Sequence, residues 1–303
     1  MPLRRCCCVG LLLLLLWATG CAMAAAPMVF IYKLPPSEMK STVAKQYTRT
    51  VLRMALERTT REFGPFELHM AINEMNETRQ VVEMEKGGGL VNTVSLPARK
   101  DLDKRLVAVR IPKDFGVLGF RVFLIRAEDQ PRFDAIRTVA DLQAIRIGQG
   151  TTWVDGKILE DAGLQVVRGS DFEGLFQMLQ EKRFDAFSRG VYEAGRELEA
   201  RQASLVDLAI EKGLLLYYPM PGYYWFPNTP DGKLRARRVE AGLTAMVADG
   251  TLKRLFLQEY GLVLKQLDLS RRRLLKIDNS QLGPDEPLDN PAFWLNPAEL
   301  GRK

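Results

Sequence analysis

Residues 138–152 read Thr138-Val139-Ala140-Asp141-Leu142-Gln143-Ala144-Ile145-Arg146-Ile147-Gly148-Gln149-Gly150-Thr151-Thr152. Thr138 and Asp141 have the spacing of a capping box, in which side-chain oxygens satisfy free N–H groups at a helix start. Ile145-Arg146-Ile147 is a short strand. It runs through Gly148-Gln149-Gly150-Thr151-Thr152 into a helix that extends to about Ala162. The unit then repeats. Gln165-Val166-Val167 is a strand, Ser170 and Glu173 form a second capping box, and Phe172, Leu175, Phe176 and Leu179 mark the inner side of the next helix. Phe184-Asp185-Ala186-Phe187 is the strand after it. Strands separated by helices at steps of roughly 20 residues describe a wound α/β unit.

Upstream, Phe120 to Ile125 is a further strand. Residues 28–32 are an opening buried strand ended by Pro35-Pro36, 41–63 a helix stopped by Gly64-Pro65, and 66–72 a second strand. This is β-α-β, the usual start of a parallel sheet. Residues 73–86 are polar and helical. Gly87-Gly88-Gly89 lacks the Lys-Ser/Thr of a phosphate loop and the spacing of a dinucleotide fingerprint, so it reads as a turn. Downstream, 214–218 and 223–226 are strands around Pro219, Pro221 and Gly222. Helices follow at about 232–248 and 251–260, and a tail rich in Pro and Asn is anchored on the body by Trp294. No internal repeat is visible.

Arg4 and Arg5, the apolar stretch 9–18 and Ala22-Met23-Ala24 have the layout of a cleaved secretory signal peptide over 1–24. The apolar core falls short of the about 20 residues that a membrane span needs. The reading is therefore an exported, periplasmic protein. All four cysteines, Cys6, Cys7, Cys8 and Cys21, lie in this leader. Ala18-Thr19-Gly20-Cys21 resembles a lipoprotein processing box with Ala in the usual Leu position, so lipid anchoring at Cys21 is the alternative.

Without the leader the chain has no thiol nucleophile, no disulfide framework and no cysteine metal site. His69 is the single histidine of the 303 residues, on the polar side of a half-buried strand, and without a second His or a Cys a His-based metal site or a Ser-His triad is hard to build. The formal net charge of +6 includes two leader arginines, and no basic run or aromatic-basic stripe points to nucleic acid. No catalytic residues, cofactor or metal are expected, and the protein is read as a monomer that binds a small molecule.

Several stretches resemble type II periplasmic solute-binding proteins, the receptors of polar amino acid ABC transporters (bacterial solute-binding protein family 3). Leu96-Pro97-Ala98-Arg99 is similar to the family's Thr-Pro-Glu-Arg stretch. Asp141-Leu142 with Arg146-Ile147-Gly148, and Ala162-Gly163-Leu164-Gln165-Val166, match in order. So do Arg183-Phe184-Asp185-Ala186 and Asp249-Gly250-Thr251-Leu252 followed by Tyr260. The resemblance marks a divergent member and covers most of the chain after the leader. It implies a two-lobed α/β fold of the type II periplasmic binding kind, each lobe a mostly parallel sheet flanked by helices, with the ligand in the cleft between lobes. Lobe 1 is expected over 25–118, lobe 2 over 119–219, and a return to lobe 1 with C-terminal helices and tail over 220–303.

The resemblance also implies a site. The family's carboxylate-gripping Arg falls on Arg99, and an Arg fork matches a carboxylate in shape and charge. Gly150-Thr151-Thr152 matches the family's Gly-Thr-Thr, and a strand, a tight turn and a helix start form an anion cradle on physical grounds alone. Ser188 and Arg189 flank the position, Gly190, where the family places the Asp that pairs with a ligand ammonium. Tyr32, Trp153 and Tyr224 are candidate cleft walls. The missing Asp points to an organic acid or another anion rather than an ordinary amino acid, unless Glu193 restores the carboxylate from the next helical turn. Three functions fit this sequence: a binding protein serving an ABC permease, a sensor signalling to a membrane partner, and a periplasmic enzyme on the same fold. The first is the expectation here.

Overall fold

The structure is a computed structural model and describes residues 26–33, 42–72 and 75–299. The leader with Cys21 and the Pro35-Pro36 stop lie outside the described residues. In chain order the elements are β1 (Met28–Lys33), α1 (Thr42–Arg58), α2 (Thr60–Phe63), β2 (Phe66–Met70), α3 (Glu77–Glu85), β3 (Thr93–Pro97), α4 (Lys100–Asp103) and β4 (Leu106–Val109). Then come β5 (Phe120–Arg126), α5 (Gln130–Asp134), α6 (Val139–Leu142), β6 (Arg146–Gly150), α7 (Val154–Asp161), β7 (Gln165–Gly169), α8 (Phe172–Gln180), β8 (Ala186–Gly190), α9 (Ala194–Glu199), β9 (Leu208–Ile210) and β10 (Leu214–Tyr217). The chain ends in β11 (Gly222–Pro227), α10 (Pro230–Ala248), α11 (Thr251–Gln266) and β12 (Arg273–Lys276), followed by the tail.

The strands form two sheets. The first is five-stranded in the order β2-β1-β3-β11-β4 and makes lobe 1. The second runs β12-β10-β5-β8-β6-β7, with β9 also paired to β5, and makes lobe 2. β1 is parallel to β2 and β3, and β6 is parallel to β7 and β8, so the wound α/β reading of both regions holds. β5 and β11 run antiparallel to their neighbours because each carries the chain across between lobes.

The two crossing segments are stitched together. Lys113 N–H donates to the Gly222 carbonyl at 3.3 Å. Asp114 pairs with Lys113 at 3.0 Å and accepts from the Gly222 N–H at 3.4 Å. Lobe 1 packs α1, α10 and α11 around Val51, Leu52, Val239, Leu243 and Phe256, all buried. A second apolar group, with Phe123, Ile147, Ile158 and Leu159, lies inside lobe 2. Among the described residues no helix is long and apolar enough to cross a membrane.

Local chemistry explains the agreements and the differences. Thr138 and Asp141 form the capping box that their spacing predicts. At the next helix the cap is Asp171, not Ser170: its carboxylate accepts from Gly174 N–H at 2.6 Å. β8 begins at Ala186, not Phe184, and continues through Ser188-Arg189-Gly190, because the charge of Arg189 is neutralised inside the protein. α11 runs past 260 to Gln266. β3, β4, β9 and β12 are short pieces without clear alternation, and the pattern did not announce them. β12 also joins the sheet of lobe 2, so the 220–303 segment does not belong wholly to lobe 1. The tail is anchored as expected. The Trp294 ring lies against Gly116 so closely that a Cβ there would come within 2.6 Å of it, and Leu295 N–H donates to the Phe115 carbonyl at 2.9 Å.

Candidate functional site between the lobes

Tyr192 lies two residues beyond the end of β8 and points away from lobe 2 towards α11. Its ring meets Tyr260 of α11 edge-on at 5.7 Å, and Tyr260 in turn meets Tyr47 of α1 at 5.2 Å. Here the lobes face each other. Below Tyr192 lies a group of buried charges. Arg189 grips Glu197 through two hydrogen bonds of 2.6 Å and meets Glu193 at 3.1 Å. Arg121, opposite Gly190 in the β5–β8 ladder, pairs with Asp155 in the first turn of α7 and lies 3.9 Å from Glu193. Tyr218 donates to the same Asp155 carboxylate at 2.5 Å, and its ring lies 5.7 Å from the Arg121 guanidinium.

Burial alone would pull both guanidiniums down, but Asp155 beside Arg121, and Glu193 and Glu197 beside Arg189, raise them above the ordinary arginine value. Burial works to raise the Glu193 carboxyl. Arg189 and Arg121 outweigh it and hold Glu193 below the usual carboxylate range. Glu197 shows the reverse balance, and burial pushes its carboxyl up. Two guanidiniums thus face three carboxylates, and the group is internally paired.

The residues read from sequence fall into this frame unevenly. Gly150 ends β6, and Thr151 and Thr152 are exposed at the turn before α7. Trp153 is the cap residue of α7 and supplies no side-chain cap, so the first N–H groups of the helix are not covered from that side chain. The glycine at 150 has a local reason. A Cβ there would meet the Trp153 indole at 2.5 Å, so the glycine makes room for that ring. Trp153 stacks parallel to Phe187 at 6.1 Å with Arg189 over its face at 4.7 Å, and it stays half-buried.

Arg189 is 4% exposed and committed to Glu193 and Glu197, so it holds the floor together and is not presented to solvent. Ser188 is buried, and its hydroxyl has no hydrogen-bond partner among the described residues. Tyr32 and Tyr224 are packed in lobe 1 and do not stand on a solvent-facing wall. Tyr224 donates to the Thr48 carbonyl at 2.5 Å, and burial raises both phenols far above their ordinary value. Arg99 is the cap residue of α4 in lobe 1. Its guanidinium is partly exposed and pairs with Glu77 and with Asp101 at 3.0 Å. His69 is exposed beside Glu67 at 2.7 Å.

Sequence reasoning passed over Arg121, Asp155, Glu197 and the Tyr192–Tyr260 contact. One signal was present: Arg121 is a lone charge inside the apolar run Phe120 to Ile125. A charge in a strand buried on both faces needs a partner.

No protein-family model matches the chain, and no curated protein sequence matches it. Solved structures do. A probable amino-acid ABC transporter extracellular-binding protein from Bacillus subtilis aligns with a TM-score of 0.55 at 14% identity, over 77% of this chain and 98% of that one. An ancestral arginine-binding protein bound to arginine aligns at 0.53 and 15%, over 77% and 98%. An amino acid ABC transporter substrate-binding protein from Streptococcus pneumoniae, bound to L-arginine, aligns at 0.53 and 12%, over 78% and 96%. At these identities the likeness is one of architecture, and it agrees with the two sheets and two crossings described above: the chain has the two-lobed α/β fold of these binding proteins.

Proposed function

We propose that this protein is an exported solute-binding protein that captures a small anionic ligand between its lobes by hinge closure and delivers it to an ABC permease. The observation that carries this reading is the arrangement at the lobe junction. Two sheets are joined by two crossing segments, and the exposed turn Thr151-Thr152 and the partly exposed Arg99 guanidinium belong to different lobes.

Arg99 is the anion grip in this reading. Its partners Glu77 and Asp101 are themselves partly exposed, and such pairs contribute at most about 1 kcal/mol. A ligand carboxylate can therefore displace them. The Thr151 N–H is bonded to the Gly169 carbonyl at 2.9 Å, so it is the start of α7 that offers backbone N–H groups to the other end of the ligand. The position where the family places an ammonium partner does not serve one here. Position 190 is Gly, and the Glu193 carboxylate beside it is already taken by the Gly190 N–H and two guanidiniums. Binding rather than catalysis is supported by the same closure, since the buried acids of the cluster are held in ion pairs.

Titration calorimetry of the purified protein against small mono- and dicarboxylates, with the standard amino acids alongside, tests the proposal. Micromolar binding of a carboxylate, lost in Arg99→Ala, is the expected result. Micromolar binding of an ordinary amino acid with no carboxylate binding overturns the anionic reading.

A further inference from the structure

Beyond β12 the tail crosses from one lobe to the other within 277–282. Ile277 donates its N–H to the Tyr217 carbonyl at 2.9 Å and packs on the apolar group inside lobe 2. Leu282 packs on an apolar group of lobe 1 that holds Leu96, Leu102 and Trp225. Between them, Asn279 ties the path to a crossing segment. Its amide donates to the Pro219 carbonyl at 2.7 Å, and its side-chain oxygen accepts the Gln281 N–H at 2.9 Å.

Ser280 and Gln281 hold one helix of each lobe. On the lobe 1 side, Lys100 begins α4. Its N–H donates to the Gln281 carbonyl at 2.8 Å, and its ammonium donates to the Ser280 carbonyl at 2.8 Å. On the lobe 2 side, Asp161 ends α7. Its carboxylate accepts from the Ser280 hydroxyl and from the Gln281 side-chain amide at 3.2 Å. Two residues on, the tail presses against α4, where a Cβ at Gly283 would come within 2.5 Å of Asp103.

These are the two helices that present the site between the lobes. Arg99 caps α4, next to Lys100. The opening N–H groups of α7 lie one short helix away from Asp161, a length of about 12 Å for its residues 154–161. Ile158 and Leu159 seat that helix in the lobe 2 core, so holding its end also holds its start.

We propose that Ser280 and Gln281 are positioning residues: they form a strap that sets the distance between Arg99 and the start of α7, and so limits how far the lobes open. The proposal rests on the reading that the ligand is held between those two points by hinge closure.

The test reads the strap without any ligand. It uses the full chain after leader removal, which has no cysteine of its own. Glu57→Cys on α1 and Gln177→Cys on α8, both at exposed positions, carry spin labels whose separation is measured by pulsed electron resonance. The parent is expected to give one distance. Asp161→Ala, and separately Ser280→Ala combined with Gln281→Ala, each remove both side-chain bonds to α7. Each is expected to raise the ratio of open to closed molecules about tenfold, seen as a second, longer distance. Lys157→Ala removes the ion pair that Asp161 makes along its own helix and is expected to keep the single distance. Strap variants that show no longer distance overturn the proposal. A parent that already shows both distances overturns it too, because the strap then holds nothing. So does the same longer distance in Lys157→Ala, since a disturbed helix is then the cause. Carboxylate binding does not enter this measurement. If Arg99 proves idle in calorimetry while the strap variants open, the ligand reading falls and the strap stands.

Discussion

The carboxylate of Glu193 accepts the backbone N–H of Gly190 at 3.0 Å and fills the space that a side chain at 190 would enter, with an added Cβ only 2.9 Å from its oxygen. A glycine and a glutamate three residues apart thereby place one acid where a longer residue at 190 would bring another. That acid is spent on Arg189 and Arg121.

Removing its charge should therefore damage the protein itself. Glu193→Gln leaves Arg121 on Asp155 and Arg189 on Glu197, so the loss is that of charge-assisted contacts, about 1.5–3 kcal/mol. Urea unfolding is expected to show a loss of this order. A loss below about 1 kcal/mol would show that the cluster is open to solvent.

Asp185 governs the acid limb. Arg146 reaches its carboxylate at 3.0 Å and Arg132 at 3.3 Å. Partial burial would raise its pKa, but the hydrogen bonds from Arg146 lower it from 3.8 to about 2. The folded value lies below the unfolded one, so the stability it supplies is fully present above about pH 4. That stability is lost as the pH falls towards 2. With solvent close by, its size is about 1–2 kcal/mol. Asp185→Asn should flatten the fall in melting temperature between pH 4 and 2, and an unchanged slope would remove Asp185 from the account.

In lobe 1, Arg99→Ala should leave the melting temperature within a few degrees of the parent, because its ion pairs are partly exposed. Carboxylate affinity should drop by at least tenfold. Arg99→Lys should restore little, since an ammonium cannot make the two parallel bonds of the fork. Full recovery with Lys would point to a general field rather than a bidentate grip.

The tail contributes stability through Glu286, whose side chain is 1% exposed and meets Arg110 at 2.7 Å while accepting from the Tyr223 hydroxyl. Glu286→Ala strands the Tyr223 phenol and leaves Arg110 with Asp103 alone. The expected cost is about 2–4 kcal/mol, measured by chemical unfolding, with Glu286→Gln recovering part of it.

Much of the architecture was legible because periodicity and caps speak locally. Thr138 and Asp141, Gly64-Pro65 and the apolar runs around Phe123 and Trp225 each announce an element without help from the rest of the chain. The strands that escaped notice, such as Arg273–Lys276, gain their identity only from a neighbour such as β10. The site was less legible for the same reason. Arg99 and the turn at 150–152 are visible in short motifs, but the fate of Arg189 depends on Glu197 across a helix and on Arg121 from a strand far away in sequence. Tyr32 and Tyr224 carry no local mark that separates a core tyrosine from a cleft tyrosine. The hydroxyl partner of Tyr224, the Thr48 carbonyl, decides it.

The position of β12 bears on how the protein is made. The sheet of lobe 2 is completed by residues near the C-terminal end of the chain, after the whole return through lobe 1. Until those residues arrive, Leu214-Leu215-Leu216-Tyr217 is an open apolar edge of the kind that invites pairing between chains. A non-local closing contact is also slow to form. Biogenesis therefore has its vulnerable interval after the return through lobe 1, while this sheet still lacks one strand.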